Sequence, residues 1–370
     1  MLCGAPMRLR FLALCALASL AGCESGSSPS DSGTATPRDA ATDAADATPS
    51  DAAPLDAHVE PTDAALPVDG GPEPRCPAGS SSLVLSLAGV SLARVAGVPI
   101  DDGFASGFSI VEGPVWARGA LWVSHFAGGA TPASRVYRIT PDGSVSIGIA
   151  SAGTNGLALG ADGALFGARH ADGSISRFDW DALGAAPEVV IGSYMGARFN
   201  TPNDLVVRSD GQIYFSDPDW QAPAMRPQSA ERAYHLDLDG VVHEIDGAPS
   251  KPNGVALSLD ERTLFVTGTD GMRRYSLGED GAIVEGPFAV GSVSGGLDGL
   301  GRDCAGNLYV TGGDRVVVLD RALARIGELS APGATNVAFG GDDMRTIYVT
   351  ALGGSVGVYS ARLNVPGLPD

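Results

Sequence analysis

Short apolar runs of β-branched, aromatic or aliphatic residues recur along residues 76–370, separated by polar, glycine-rich stretches. Six are alike in kind: Leu121-Trp122-Val123, Leu165-Phe166-Gly167, Ile213-Tyr214-Phe215, Leu264-Phe265-Val266, Leu308-Tyr309-Val310 and Ile347-Tyr348-Val349. Their starts lie 44, 48, 51, 44 and 39 residues apart. A period of about 40–50 residues, with several strands in each unit, predicts a β-propeller. Six units predict an all-β, six-bladed one filling residues 76–370. Asp-Gly pairs at 162–163, 210–211 and 239–240 supply hairpin turns, and no long helical period intervenes. Residues from about Ser82 to Val98 precede the first full unit and are expected to complete the last blade, closing the ring.

A second register runs about ten residues ahead of the first. At this phase stand Glu112, Asn155, Asn203, Asn253, Asp298 and Asn336. Residues 76–370 contain seven asparagines, and four of them fall here. Equal phase in every blade means equal height on the axis, so these side chains are expected to ring the tunnel. Asn-Gly and Asp-Gly turns would explain Asn155, Asn253 and Asp298 one at a time. They do not explain Glu112-Gly113-Pro114, Asn203-Asp204 or Asn336-Val337. Carboxylate and amide oxygens without thiolate or imidazole suit Ca²⁺, or another divalent cation, over zinc or copper.

Charge narrows the alternatives. Forty-three acids against 24 bases leave a net charge of −19, which argues against a nucleic-acid partner. There is no Gly-x-x-x-x-Gly-Lys phosphate loop and no His-Glu-x-x-His zinc helix. The histidines are scattered; His170 follows an expected strand, Leu165 to Arg169, near the tunnel phase, and is a candidate to face substrate.

The leading residues differ from the rest. Residues 1–22 carry Arg8 and Arg10, no acid, and an apolar run from Phe11 to Gly22 that is too short to span a bilayer but fits an export signal. The sequence Leu20-Ala21-Gly22-Cys23 resembles the bacterial lipobox, which implies cleavage before Cys23 and a lipid on its sulfur. The mature protein is then expected to be exported and lipid-anchored to a bacterial membrane, on its periplasmic or cell-surface side. Residues 24–75 hold eleven acids, two bases, eight prolines and no Phe, Tyr or Trp. Such a stretch cannot bury enough apolar surface to fold, so residues 23–75 read as a lipidated Cys23 followed by a disordered tether. Of five cysteines, Cys76 and Cys304 remain for the folded part, an even pair expected to form a disulfide in an oxidising compartment.

Glu112-Gly113-Pro114-Val115-Trp116, Asn155-Gly156-Leu157 and Asn200-Thr201-Pro202-Asn203-Asp204-Leu205-Val206-Val207, with Ile213 to Pro218, together resemble the gluconolactonase and regucalcin (senescence marker protein) family. Lys251-Pro252-Asn253-Gly254, Leu297-Asp298-Gly299-Leu300 and Ala334-Thr335-Asn336-Val337-Ala338-Phe339-Gly340 continue the resemblance over nearly all of residues 90–360. It implies a six-bladed calcium propeller that hydrolyses lactones or, in relatives, phosphoesters. It implies Glu112, Asn203, Asn253 and Asp298 as metal ligands, Asp298 also as acid/base, and Asn155 and Asn336 beside the metal or substrate. Three positions depart from the family pattern. Thr201 stands where some relatives carry a substrate-holding arginine, Ser124 is followed by His125 instead of an acid, and Arg169-His170-Ala171 replaces Glu-His-Gly. The expected function is a calcium-dependent hydrolase of a small lactone or related ester, acting as a monomer. In it the metal polarises the carbonyl and Asp298 is the general base. The alternative is a non-catalytic lipoprotein propeller that binds a ligand or partner, with the calcium structural.

Overall fold

The structure is a computed structural model that describes residues 76–95, 103–105 and 107–368. The signal, Cys23 and the tether expected over residues 1–75 lie outside the described residues. The described residues form six four-stranded antiparallel sheets, the blades of a propeller. The inner strands are Ser109–Ala117, Thr154–Leu159, Leu205–Val207, Val255–Leu257, Leu300–Arg302 and Ala334–Gly340. Each packs against the next, and the last returns to the first. The second strands are Ala120–Ala127, Leu165–Arg169, Ile213–Asp217, Thr263–Gly268, Leu308–Gly312 and Thr346–Ala351. Each carries one of the six apolar runs, so the six-bladed, all-β expectation is borne out.

Ring closure follows the expected route. Ala93–Arg94 is the outermost strand of the sixth blade, pairing Ala93 with Ser360 and Arg94 with Tyr359. Leu85, Leu87, Val90 and Leu92 pack on the core between blades five and six. The Cys76–Cys304 disulfide ties this leading segment to the turn after Leu300–Arg302.

Burial falls from axis to rim. Inner strands such as Leu300–Arg302 and Ala334–Gly340 are wholly buried, whereas outer strands such as Glu188–Ile191 and Arg325–Ser330 face mostly solvent. The apolar residues are spent between blades. Tyr309, Val316 and Val318 of blade five meet Phe339, Ile347 and Val349 of blade six. Phe199, Phe215 and Tyr234 pack edge-on or tilted, with ring centroids 5.0–5.3 Å apart, beside Ile175 of blade two. Each such side chain contributes about 1.5–3 kcal/mol by leaving water.

A belt of buried hydroxyls joins blade to blade near the axis. Ser124 Oγ meets Thr154 Oγ1 at 2.8 Å, Thr267 donates to Asp298 O at 2.5 Å, and Thr311 donates to Thr335 O at 2.7 Å. Thr335 donates to Val111 O at 2.7 Å, linking the last blade to the first. The carbonyls of Asp298, Thr335 and Val111 at the inner-strand ends thus each accept a hydroxyl from a neighbouring blade.

Candidate active site

The six residues of the second register all enter inner strands from one end. Where Glu112, Asn155 and Asn336 sit within a strand, the pairing register slips, between Glu112 and Val115, Thr154 and Leu157, and Ala334 and Val337. Such bulges re-aim side chains that strict alternation would send elsewhere. In the other three blades Asn203, Asn253 and Asp298 lie just before the strand starts. The glycines that follow ring residues are packing glycines, not hairpin turns. A Cβ at Gly156 would lie 2.7 Å from Asn203 O, and one at Gly299 would lie 2.0 Å from Asn336 Cγ. Adjacent blades come so close at the axis that only hydrogen fits.

Glu112, Asn155, Asn203, Asn253 and Asp298 line one cavity of about 420 Å³, together with Phe108, Ile110, Phe126, Trp220, Gln221 and Leu352. Asn336 stands lower, its Nδ2 donating to Asp204 Oδ2 at 3.3 Å and its Oδ1 accepting Val337 N–H at 2.8 Å. Asp204 is the ring's hidden member. Its Oδ1 accepts Leu205 N–H at 3.0 Å, and its Oδ2 also receives Val255 N–H at 3.4 Å. Beneath, Asp204 and Asn336 border a void of only about 30 Å³ among Leu157, Val206 and Val337, so the tunnel narrows below the ring.

Electrostatics single out this floor. Burial, then the charges of Asp298 and Asp204, hold the Glu112 carboxyl well above the usual carboxylate range; the amide of Asn336 and Gly113 N–H oppose this only in part. Asp298 keeps partial access to solvent through the cavity, but its enclosure on the other sides and the Asp204 charge push it up to about 8, against hydrogen bonds from Asn253 and Gly299. No Lys, Arg or His is among the cavity's described lining residues. Asn155 Oδ1 is buried without a hydrogen-bond partner, as is Gln221 Oε1. Clustered carboxylates without a counter-charge, with amide oxygens beside them, fit a hard divalent cation. Among the described residues no group of three or more His, Cys, Asp or Glu has a metal-binding arrangement. The set that fits here has two carboxylates and two amides, Glu112, Asn203, Asn253 and Asp298.

Thr201 and His170, the remaining candidates, stand elsewhere. Thr201 is fully buried with its hydroxyl donated to Pro218 O at 2.9 Å, and it does not line the cavity. His170 lies behind Phe126, ring centroids 4.8 Å apart, with Nε2 2.9 Å from Pro132 O, and burial holds it down to about 4. Ser355 lies in a Gly-x-Ser-x-Gly run, Gly353 to Gly357, but on a 3-10 turn between two strands, not the strand-to-helix elbow of a serine hydrolase.

Residues 110–353 match the family described as SMP-30/Gluconolactonase/LRE-like region. The chain belongs to this family. It is similar to a gluconolactonase of Zymomonas mobilis, 27% identical over 281 residues, covering 67% of this chain and 77% of that one. Among solved structures it resembles a gluconolactonase of Xanthomonas campestris, at 30% identity and a TM-score of 0.63, covering 82% of this chain and 99% of that one. A calcium-binding regucalcin of Agrobacterium tumefaciens shares the fold at 19% identity and a TM-score of 0.55, with 70% and 92% covered. The family assignment read from the motifs is therefore borne out, and two of the three proteins named are gluconolactonases. Sequence reasoning missed Asp204, Trp220 and Gln221 as site residues. Asp204 was visible as the partner of Asn203, but Trp220 and Gln221 sit in the loop after Ile213–Asp217, outside any repeat.

Proposed function

We propose that this SMP-30/gluconolactonase-family protein is a calcium-dependent lactonase. The observation that carries this reading is the uncompensated carboxylate pair, Glu112 and Asp298, beside the amides of Asn203 and Asn253 in one cavity. These four residues would hold the ion. When bound, the ion supplies Lewis-acid polarisation of the lactone carbonyl and charge stabilisation for the oxyanion. Asp298, oriented by Asn253, takes the proton of the attacking water and returns it to the ring oxygen as the acyl C–O bond breaks. Asn155, with a free amide oxygen at the cavity floor, positions that water. The narrow tunnel below the ring and the apolar walls limit competing solvent.

Residues 1–75 extend this reading to an exported lipoprotein anchored through Cys23. The Cys76–Cys304 disulfide supports an oxidising compartment. Palmitate labelling that persists in Cys23→Ala would remove the anchor assignment. The decisive assay for the enzyme is lactone hydrolysis with and without calcium, alongside calorimetric calcium titration. Calcium binding without hydrolysis of any lactone or ester would leave a non-catalytic propeller with a structural ion.

A further inference from the structure

The cavity has two chemically unlike ends. All its carboxylates and all three asparagine amides gather at the floor. The walls above are Ile110, Phe126 and Leu352, and the mouth carries two aromatic rings that remain open to solvent, Phe108 at 56% and Trp220 at 43% exposure. Neither ring is loosely placed. Phe108 lies over backbone, where a Cβ at Gly128 or Gly353 would sit 3.0 or 3.2 Å from its ring atoms. Trp220 is held by the Lys251 ammonium 4.4 Å from its ring centroid. That ammonium is itself bound by Asp219 and Glu231, so the sole lysine is already engaged at the rim. Above the floor, Gln221 is the only polar side chain among the cavity's described lining residues.

A polyhydroxylated lactone buried here would leave several hydroxyls against apolar walls, each costing about 1–3 kcal/mol if unpartnered. An alkyl or aryl substituent would instead cover Phe108 and Trp220. We infer that the substrate is a lactone bearing a hydrophobic substituent, with its ring at the polar floor and its chain or aryl group against Phe108 and Trp220. This rests on the lactonase reading of the same cavity.

The test compares γ-butyrolactone, γ-octalactone, γ-decalactone and gluconolactone as substrates of the full chain at saturating calcium. Each methylene that reaches the apolar walls should raise kcat/KM about three- to fourfold. γ-Octalactone should be hydrolysed with higher kcat/KM than gluconolactone. Phe108→Ser and Trp220→Ser should flatten the dependence on chain length; both rings are solvent-exposed, so neither replacement opens a core cavity. Faster hydrolysis of gluconolactone than of γ-octalactone overturns the inference and leaves the lactonase reading standing. If no lactone is hydrolysed, the lactonase reading falls, and calorimetry with 2-pyrrolidinone and γ-octalactam decides the rest. At least tenfold tighter binding of γ-octalactam upholds an apolar-substituent site, and equal binding overturns it.

Discussion

Asp298 and Asp303 are buried or half-buried aspartates at opposite ends of one inner strand, Leu300–Arg302, and they have opposite surroundings. Asp303 is saturated. Its Oδ1 accepts the N–H groups of Ala305 and Asn307, each at 2.9 Å, and its Oδ2 accepts Asn307 Nδ2 at 2.7 Å and Tyr309 OH at 2.9 Å. The neighbouring Cys304 is tied to Cys76, and Arg302 caps the carbonyls of Leu257 and Ser258. Asp298 has one amide, one N–H and two other carboxylates for company. The same residue type on the same strand is a structural anchor where its lone pairs are filled and a candidate ligand where they are not. A buried carboxylate left short of partners costs stability in the unliganded protein, and a cation that binds only the folded state returns it.

The largest effect expected at the ring end is on catalysis. Asp298→Asn should lower turnover by about 10²–10⁴-fold even at saturating calcium, because the amide cannot accept the proton. In chelator the same variant should melt no lower than wild type, since a buried carboxylate has been removed. A clear drop in Tm would make Asp298 an anchor like Asp303. At the other end, Asp303→Ala should cost on the order of 3 kcal/mol in denaturant unfolding by stranding four donors, with calcium affinity by calorimetry unchanged. Cys76→Ser should lower stability by about 2–4 kcal/mol without altering hydrolysis, because the bond lies at the end of blade five away from Asp298.

Smaller effects test the region between the ends. His170 is neutral in the fold down to about pH 4, while the unfolded chain takes up the proton near its ordinary value of 6.5. Its contribution is therefore full above pH 6.5 and is lost as pH falls from 6.5 towards 4, by on the order of 2 kcal/mol. His170→Gln should flatten that part of the pH–stability profile; an unchanged profile would mean that another group sets it. Thr335→Val should cost about 1 kcal/mol by leaving Val111 O without its partner across the ring closure, and Tm is the readout.

Much of this protein was written in local pattern. The apolar runs from Leu121 to Ile347 sit on second strands because that strand is buried in every blade, so its composition repeats with the fold. The phase of Glu112, Asn155, Asn203, Asn253 and Asp298 repeats for the same reason, and five side chains at one phase reach one cavity. What the sequence could not determine depends on groups distant in the chain. Asn336 shares the phase yet turns down to Asp204, 132 residues away, because Asp204 reaches the axis from blade three. Thr201 sits in the strongest motif yet faces Pro218, while Trp220 and Gln221 reach the cavity from a loop with no repeat signal. Chain periodicity sets the height of a residue on the axis. Whether its oxygens are filled by neighbours or left open to a ligand is settled only when six blades close around them.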